Sequence, residues 1–213
     1  MYPQLTMLDR CIGVLDGALR TLSNSGTGTH RPAPDAGLER PALSAAEARL
    51  SAGLMRVNHA GEICAQALYQ GQALTTRNPA LKASLERAAE EEHDHLHWCG
   101  RRVAELGSHT SLLNPLWYAG SLALGAAAGA LGDRWNLGFL GETERQVTAH
   151  LDRHLTRLPA GDHASRAIVA QMREDESRHA THAMQSGGAE LPPPVRRMMR
   201  LTSALMTRTA HWI

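Results

Sequence analysis

Residues 81–106 read LKASLERAAEEEHDHLHWCGRRVAEL, and the way its charges fall along a helix decides the fold. Leu81, Leu85, Ala88, Glu92, His95, Cys99, Val103 and Leu106 advance by three or four residues each time, the spacing of one helical face. That apolar stripe runs straight through Glu92 and His95. The competing pair, Glu90 and His93, falls with Glu86, His97 and Arg101 on a polar stripe. Helical residues three apart lie about 60° apart around the axis and about 4.5 Å along it, so Glu92 and His95 can reach one point inside the protein. The helix begins near Pro79 and ends at about Leu106, stopped by Gly107.

A second motif of the same form, Asp175-Glu176-Ser177-Arg178-His179, sits in a segment that reads as a helix from Asp162 to about Gln185, closed by Gly187 and Gly188. There Ile168, Met172, Glu176, His179 and Ala183 share a face, whereas Glu174 joins Ser177 and Arg178. Two further helical segments each place one carboxylate among apolar residues. From Leu137 to Leu158, ended by Pro159-Ala160-Gly161, one face carries Leu137, Leu140, Glu144, Val147, Leu151, Leu155 and Leu158, with Glu144 as its single charge. Glu142 groups instead with Arg145, Asp152 and Arg153, a solvated face. From Val57 to Thr76 the sole formal charge is Glu62, in a helix opened by a Ser44-Ala45-Ala46-Glu47 capping box and ended before Asn78-Pro79. A lone Glu on an apolar face is commonplace, and so is an accidental ExxH; Glu on the core face of three helices, followed by His in two of them, is not. Among the other histidines, His93, His97, His150, His154, His163 and His182 read as surface or supporting residues.

Four carboxylates converging in one core need cations. Two like charges about 4 Å apart repel by roughly 4 kcal/mol at an effective dielectric near 20, and desolvation adds several kcal/mol per ion. Two divalent ions balance four glutamates, with His95 and His179 as neutral ligands; a single ion does not. Carboxylate oxygen with imidazole nitrogen suits iron or manganese, and the order Glu, ExxH, Glu, ExxH is the bundle-core pattern of di-iron carboxylate proteins. The fold class is therefore all-α: a ferritin-like four-helix bundle with a long apolar crossover between its second and third helices, and an extra amphipathic helix at each end.

Composition narrows the function. A chain of 213 residues with net charge +1 is long enough for one well-buried domain and offers no global field for nucleic acid. Four Trp, three Tyr and one Phe leave no stacking platform for single strands. Cys11, Cys64 and Cys99 are an odd number without CxxC spacing, so a reducing compartment is expected rather than a disulfide framework. No secretory signal pattern opens the chain, and a cytoplasmic location is expected. Residues 1–36 read as a short amphipathic helix (5–22) plus a Ser/Gly/Thr/Pro-rich linker (Ser23–Ala36) that carries no functional signal. Residues 37–213 read as the bundle domain with its C-terminal amphipathic helix.

At these residues the sequence resembles the bacterial demethoxyubiquinone hydroxylases. Arg56-Val57-Asn58-His59-Ala60-Gly61-Glu62 and the residues to Gln72 look like that family's first ligand helix. Glu91-Glu92-His93-Asp94-His95, Glu142-Thr143-Glu144 and Asp175-Glu176-Ser177-Arg178-His179 look like the other three. The similarity runs from the first bundle helix to the C-terminus. It implies a di-iron monooxygenase that uses O₂ to hydroxylate the ring of a polyprenylated methoxy-methyl-hydroquinone, before the last O-methylation to ubiquinol. It also implies two iron ions, one held by Glu62, Glu92 and His95 and the other by Glu144, Glu176 and His179, with Glu92 and Glu176 bridging. Electrons would come from a reduced nicotinamide or a partner reductase; no nucleotide-binding Gly-rich motif is visible, and a homo-oligomer is compatible. The rival readings are a ferritin-like di-iron hydroxylase of another substrate, such as a tRNA base, and a non-enzymatic iron-binding bundle.

Two segments suit a greasy substrate and a peripheral position on the cytoplasmic face of the cell membrane. Thr110–Gly132 has no formal charge and the length of a membrane span. Asn114, Pro115 and its glycines argue for a crossover that dips into the bilayer interface or lines a prenyl tunnel. The last helix sets Arg196, Arg197, Arg200 and Arg208 beside Val195, Met198, Met199, Leu205, Met206 and Trp212, a pattern that fits interfacial docking or ordinary packing on the bundle.

Overall fold

The computed structural model describes residues 6–213. Among them lie seven helices and no strand: α1 (Met7–Leu22), α2 (Ala45–Thr75), α3 (Pro79–Glu105), α4 (Asn114–Ala130), α5 (Asp133–Arg157), α6 (His163–Gln185) and α7 (Pro193–Ala210). Leu5, where the first helix was expected to begin, lies outside the described residues, as does the side chain of Cys11; Cys64 and Cys99 are free thiols.

The boundaries follow local chemistry. Ser44 and Glu47 close the expected capping box on α2, with Glu47 Oε2 accepting from the Ser44 N–H at 2.9 Å. Asn78 Oδ1 accepts from the N–H groups of Ala80 and Leu81 at 3.0 and 3.2 Å, and Pro79 fills the first turn of α3, where no N–H is needed. Asp162 Oδ1 accepts from Ser165 N–H to start α6. Gly107 follows α3 at φ +68°, a conformation that side chains disfavour.

Helices α2 and α3 form one hairpin and α5 and α6 another; α3 faces α6 and α2 faces α5. One end of the bundle is plugged by Leu54, Met55, Trp98, Val103, Leu151, Ile168 and Met172. The other is plugged by Tyr69, Leu81, Leu85, Leu137 and Ala183. All four bundle helices contribute to each plug, and the middle level between them holds the carboxylates.

The uncharged crossover is a helix, α4, laid along α2. Asn114 and Pro115 sit in its first turn rather than interrupting it. The two helices touch backbone to backbone: a Cβ on Gly125 would lie 2.3 Å from Leu68 O, and one on Gly71 would lie 2.3 Å from Leu122 O. Its glycines are thus a packing surface for α2, while Leu112, Leu116, Leu124 and Leu131 in and around it remain exposed. No helix among the described residues is long and apolar enough to cross a membrane.

Three expectations are corrected. The Ser23–Ala36 segment is a strap tied down on α3. Thr29 and Arg31 bond Asp94, Arg31 also pairs with Asp175 on α6 at 2.9 Å and lies over the Trp98 ring, and Asp35 is buried between Arg40 and Arg101. The strap covers the polar stripe of α3 from His93 to Arg101, so His93 and His97 are half-buried, while Glu86 and Glu90 stay exposed. Glu142 does not face solvent: it is 5% exposed, accepts from Gln146 Nε2 at 2.7 Å and pairs with Arg145, under α7. His163 and His182 are exposed as expected, but His154 is buried with its ring centroid 4.0 Å from that of His150. Burial lowers both, to about 4 for His150 and about 2 for His154.

Gly125→Val would drive the Cβ into the α2 backbone, which has no flexible end to move aside. It is expected to lower the unfolding free energy by about 1–3 kcal/mol, read from urea denaturation midpoints. An unchanged midpoint would show that α4 is not packed on α2 in solution.

Candidate metal centre

The six side chains come from four helices. Glu62 lies on α2, Glu92 and His95 on α3, Glu144 on α5, and Glu176 and His179 on α6. Glu62, Glu92, His95, Glu144 and Glu176 are each no more than 3% exposed. One ligand-type atom from each of Glu62, Glu92, His95 and Glu176 lies within 4.8 Å of the others. His179 and Glu144 stand outside that tightest set but border it.

The distances give the cluster a two-sided layout. His95 Nδ1 is 3.0 Å from Glu92 Oε2, 3.3 Å from Glu176 Oε1 and 3.8 Å from Glu62 Oε2. His179 Nδ1 is 3.0 Å from Glu92 Oε1 and 3.7 Å from Glu176 Oε2. Glu92 and Glu176 therefore each present one oxygen to each imidazole and lie between them. Glu62 joins the His95 side, and Glu144 neighbours Glu176. Its Oε1 accepts from Tyr69 O–H at 2.8 Å.

The electrostatics are those of negative charge without water. Burial and the neighbouring carboxylates push Glu62 and Glu144 well above the usual carboxylate range. Burial opposes ionisation at Glu92 as well, yet the adjacent imidazoles hold it well below that range. His95 and His179, although buried, are raised well above an ordinary histidine by the carboxylates around them. Glu62 Oε2, Glu92 Oε1, Glu176 Oε2 and His179 Nδ1 are buried and lack hydrogen-bond partners. His179 Nδ1 and Glu92 Oε1 are close without being aligned as donor and acceptor. Buried polar atoms are rarely left so, and hard oxygen donors with imidazole nitrogen are a donor set that fits divalent iron or manganese.

The sequence reading missed what holds the imidazoles. His95 Nε2 is 2.9 Å from Asp175 Oδ2, and His179 Nε2 is 3.2 Å from Glu91 Oε2. Asp175 and Glu91 are the residues just before Glu176 and Glu92, so the acid of each motif orients the histidine of the other. Asp175 is fully buried and further bonded by Arg31, Gln171 and Arg178. Against the pull of burial, His95 and Arg31 keep it ionised far below the usual range. The repeated acidic pair, Glu91-Glu92 and Asp175-Glu176, was the available signal.

The family model described as "Ubiquinone biosynthesis protein COQ7" matches residues 49–210, a span that contains the six candidate ligands together with Glu91 and Asp175. The chain belongs to that family. Its COQ7 relatives include proteins named 3-demethoxyubiquinol 3-hydroxylase from Nitrosospira multiformis, 59% identical over 97% of this chain and 99% of the relative, and from Nitrosococcus oceani, 55% identical over 99% and 98%. Another from Chromobacterium violaceum is 58% identical over 96% and 99%. Among solved structures, a dodecameric thioferritin, the bacterioferritin-related protein from Bacteroides fragilis, matches with a TM-score of 0.54 at 16% identity, covering 72% of this chain and 90% of that one. That likeness places the COQ7 bundle among ferritin-like folds.

Partners that orient a metal-binding histidine are typically worth 10–100-fold in metal affinity. Asp175→Ala is expected to weaken divalent-metal binding by about that factor, measured by competition with a chelator. Glu142→Gln, altering a buried carboxylate away from the cluster, should lower the melting temperature and leave metal affinity unchanged. Equal affinity in Asp175→Ala and wild type would show that Asp175 does not position His95.

Proposed function

We propose that this chain is a 3-demethoxyubiquinol 3-hydroxylase: a di-iron monooxygenase that converts a ring C–H of a polyprenylated methoxy-methyl-hydroquinone to C–OH in ubiquinone biosynthesis. The reading is carried by the placement of Glu92 and Glu176, each turning one oxygen to His95 and the other to His179 inside an apolar core, in a chain so closely related to named hydroxylases. Glu62, Glu92 and His95 would hold one iron and Glu144, Glu176 and His179 the other, with Glu92 and Glu176 shared. Bound there, the iron pair supplies the redox change and O₂ activation that side chains cannot provide.

The remaining work belongs to the protein. Asp175 and Glu91 fix the orientation of the two imidazoles, so that each keeps a nitrogen turned toward the carboxylates. Tyr69 donates to Glu144 and holds one of its oxygens in place. The apolar plugs above and below keep bulk water from the centre, which strengthens every charge interaction within it. Overall, one oxygen atom of O₂ enters the ring and the other leaves as water. The two electrons required come from a reduced nicotinamide or a partner reductase, and two protons complete the water.

We also propose that the chain works at the cytoplasmic face of the cell membrane as a peripheral protein. Leu8, Ile12, Leu15 and Leu19 on α1 are exposed, as are Met198, Leu201 and Leu205 on α7 and Trp212 beyond it. The arginines of α7 would meet anionic headgroups.

Chain purified from iron-replete cells is expected to carry about two irons and to hydroxylate a demethoxyquinol with O₂ and a reductant. Glu144→Ala should lose that activity and part of the metal, whereas Glu142→Ala should keep both. A folded, metal-free protein, or an iron-loaded one that forms no hydroxylated product, would end this reading. Flotation with anionic phospholipid vesicles, reduced by Ile12→Asp with Leu15→Asp, is expected from the membrane proposal; wild-type chain left at the bottom of the gradient would contradict it.

A further inference from the structure

Helix α1 is built inside out. A helix at the surface of a globular protein normally turns its large apolar residues inward. Here Leu8, Ile12, Leu15 and Leu19 point outward, 54–69% exposed. Among the described side chains, the face toward the bundle packs only Ala18 and Leu22 on the core, while Gly13, Val14 and Gly17 line a groove of about 440 Å³ between α1, α2 and α3, mostly apolar in exposed area and flanked by Asp9, Arg20, Lys82, Glu86 and Glu90. A Cβ built on Gly13 would meet no atom within 4 Å, whereas one on Gly17 would touch Gln70 at 2.9 Å. The helix therefore rests on α2 near Gly17 and stands clear of it at Gly13.

The inner wall of this groove shares Tyr69 with the surroundings of the candidate metal centre. It is formed in part by Gln66 and Tyr69 of α2 and Leu85 of α3, and the Tyr69 hydroxyl is the group bonded to Glu144. Gln66 lies one helical turn beyond Glu62 on the same face of α2, about 6 Å along the axis. It is completely buried. Its Nε2 donates to Ala89 O, which fixes the amide so that Oε1 is a free acceptor, and Oε1 has no partner. A buried amide oxygen left unpaired beside an apolar groove calls for a ligand with an O–H or N–H to donate.

We propose that this groove seats the hydroquinone substrate, with Gln66 Oε1 accepting a hydrogen bond from a ring hydroxyl and the prenyl chain leaving beneath α1 past Gly13. The proposal rests on the hydroxylase reading above and adds to it the substrate's route and a recognition residue. The outward leucines of α1 then have a purpose that bundle stability does not give them. They hold the mouth of the groove against the lipid phase in which a polyprenyl chain dissolves. Gln66 is a positioning and specificity residue: it selects the reduced ring, which carries donors, over a ring with only acceptor oxygens.

The test uses the iron-loaded full chain and two redox-inert competitive inhibitors, a decyl-substituted phenol and its methyl ether, identical except for the O–H donor. Wild type is expected to favour the phenol by about tenfold. Gln66→Met should bring that ratio close to one while leaving the inhibition constant of the ether unchanged. Gly13→Trp, which places a large side chain in open space, should raise KM for a polyprenyl demethoxyquinol and both inhibition constants by about tenfold. It should leave the melting temperature at or above that of wild type. If Gln66→Met does not fold, Gly13→Trp alone decides the route. Wild-type constants in Gly13→Trp, or an undiminished phenol preference in folded Gln66→Met, would overturn the proposal while wild-type turnover keeps the hydroxylase reading intact. A wild-type enzyme with no turnover of any demethoxyquinol would bring down both.

Discussion

Negative charge sealed away from water is the constraint that the rest of this molecule answers to. Four glutamates meet at one level of the bundle, where bulk solvent cannot screen them. Uncompensated, such a group would cost many kcal/mol, far more than the margin by which a domain of this size is stable. Every neighbouring feature serves to make that level tolerable: the two imidazoles among the carboxylates, the acids behind the imidazoles, the tyrosine hydroxyl on Glu144, and the donor set suited to divalent ions. The apolar plugs at either end of the bundle then fix how far apart the four helices stand, and hence how far apart the charges sit.

Much of this was legible in the chain. The helix boundaries follow from capping residues and glycines, and the bundle order from the positions of charges within apolar stripes. Glu92 could be separated from Glu90, and Glu144 from Glu142, because an i, i+3, i+4 pattern has a phase and only one member of each pair shares it. Phase tells which way a side chain points from its own axis, however, and not what else comes to lie over it. Glu142 points away from the cluster as expected, yet it is buried beside Gln146, which bonds α7; His154 is likewise buried, against His150.

The strap at residues 23–36 was illegible for a different reason. Its composition is that of a turn-rich connection, and nothing in local propensity records that Thr29, Arg31 and Asp35 find charged partners from 63 to 144 residues away. Such partners are set by tertiary placement alone. Asp175 was hidden by similar logic: beside Glu176 it resembles one more acid on a charged helix, and its role appears only when α3 brings His95 against it.

The crossed pairing of Asp175 with His95 and of Glu91 with His179 has a consequence for how the molecule behaves as a machine. Neither half of the centre is self-sufficient, since each draws its orienting acid from the helix that supplies the other half. A slip of α3 against α6 by one ångström would misalign both imidazoles together. The two positions are thus geared to one another like meshed teeth, and the centre is assembled or lost as a single unit.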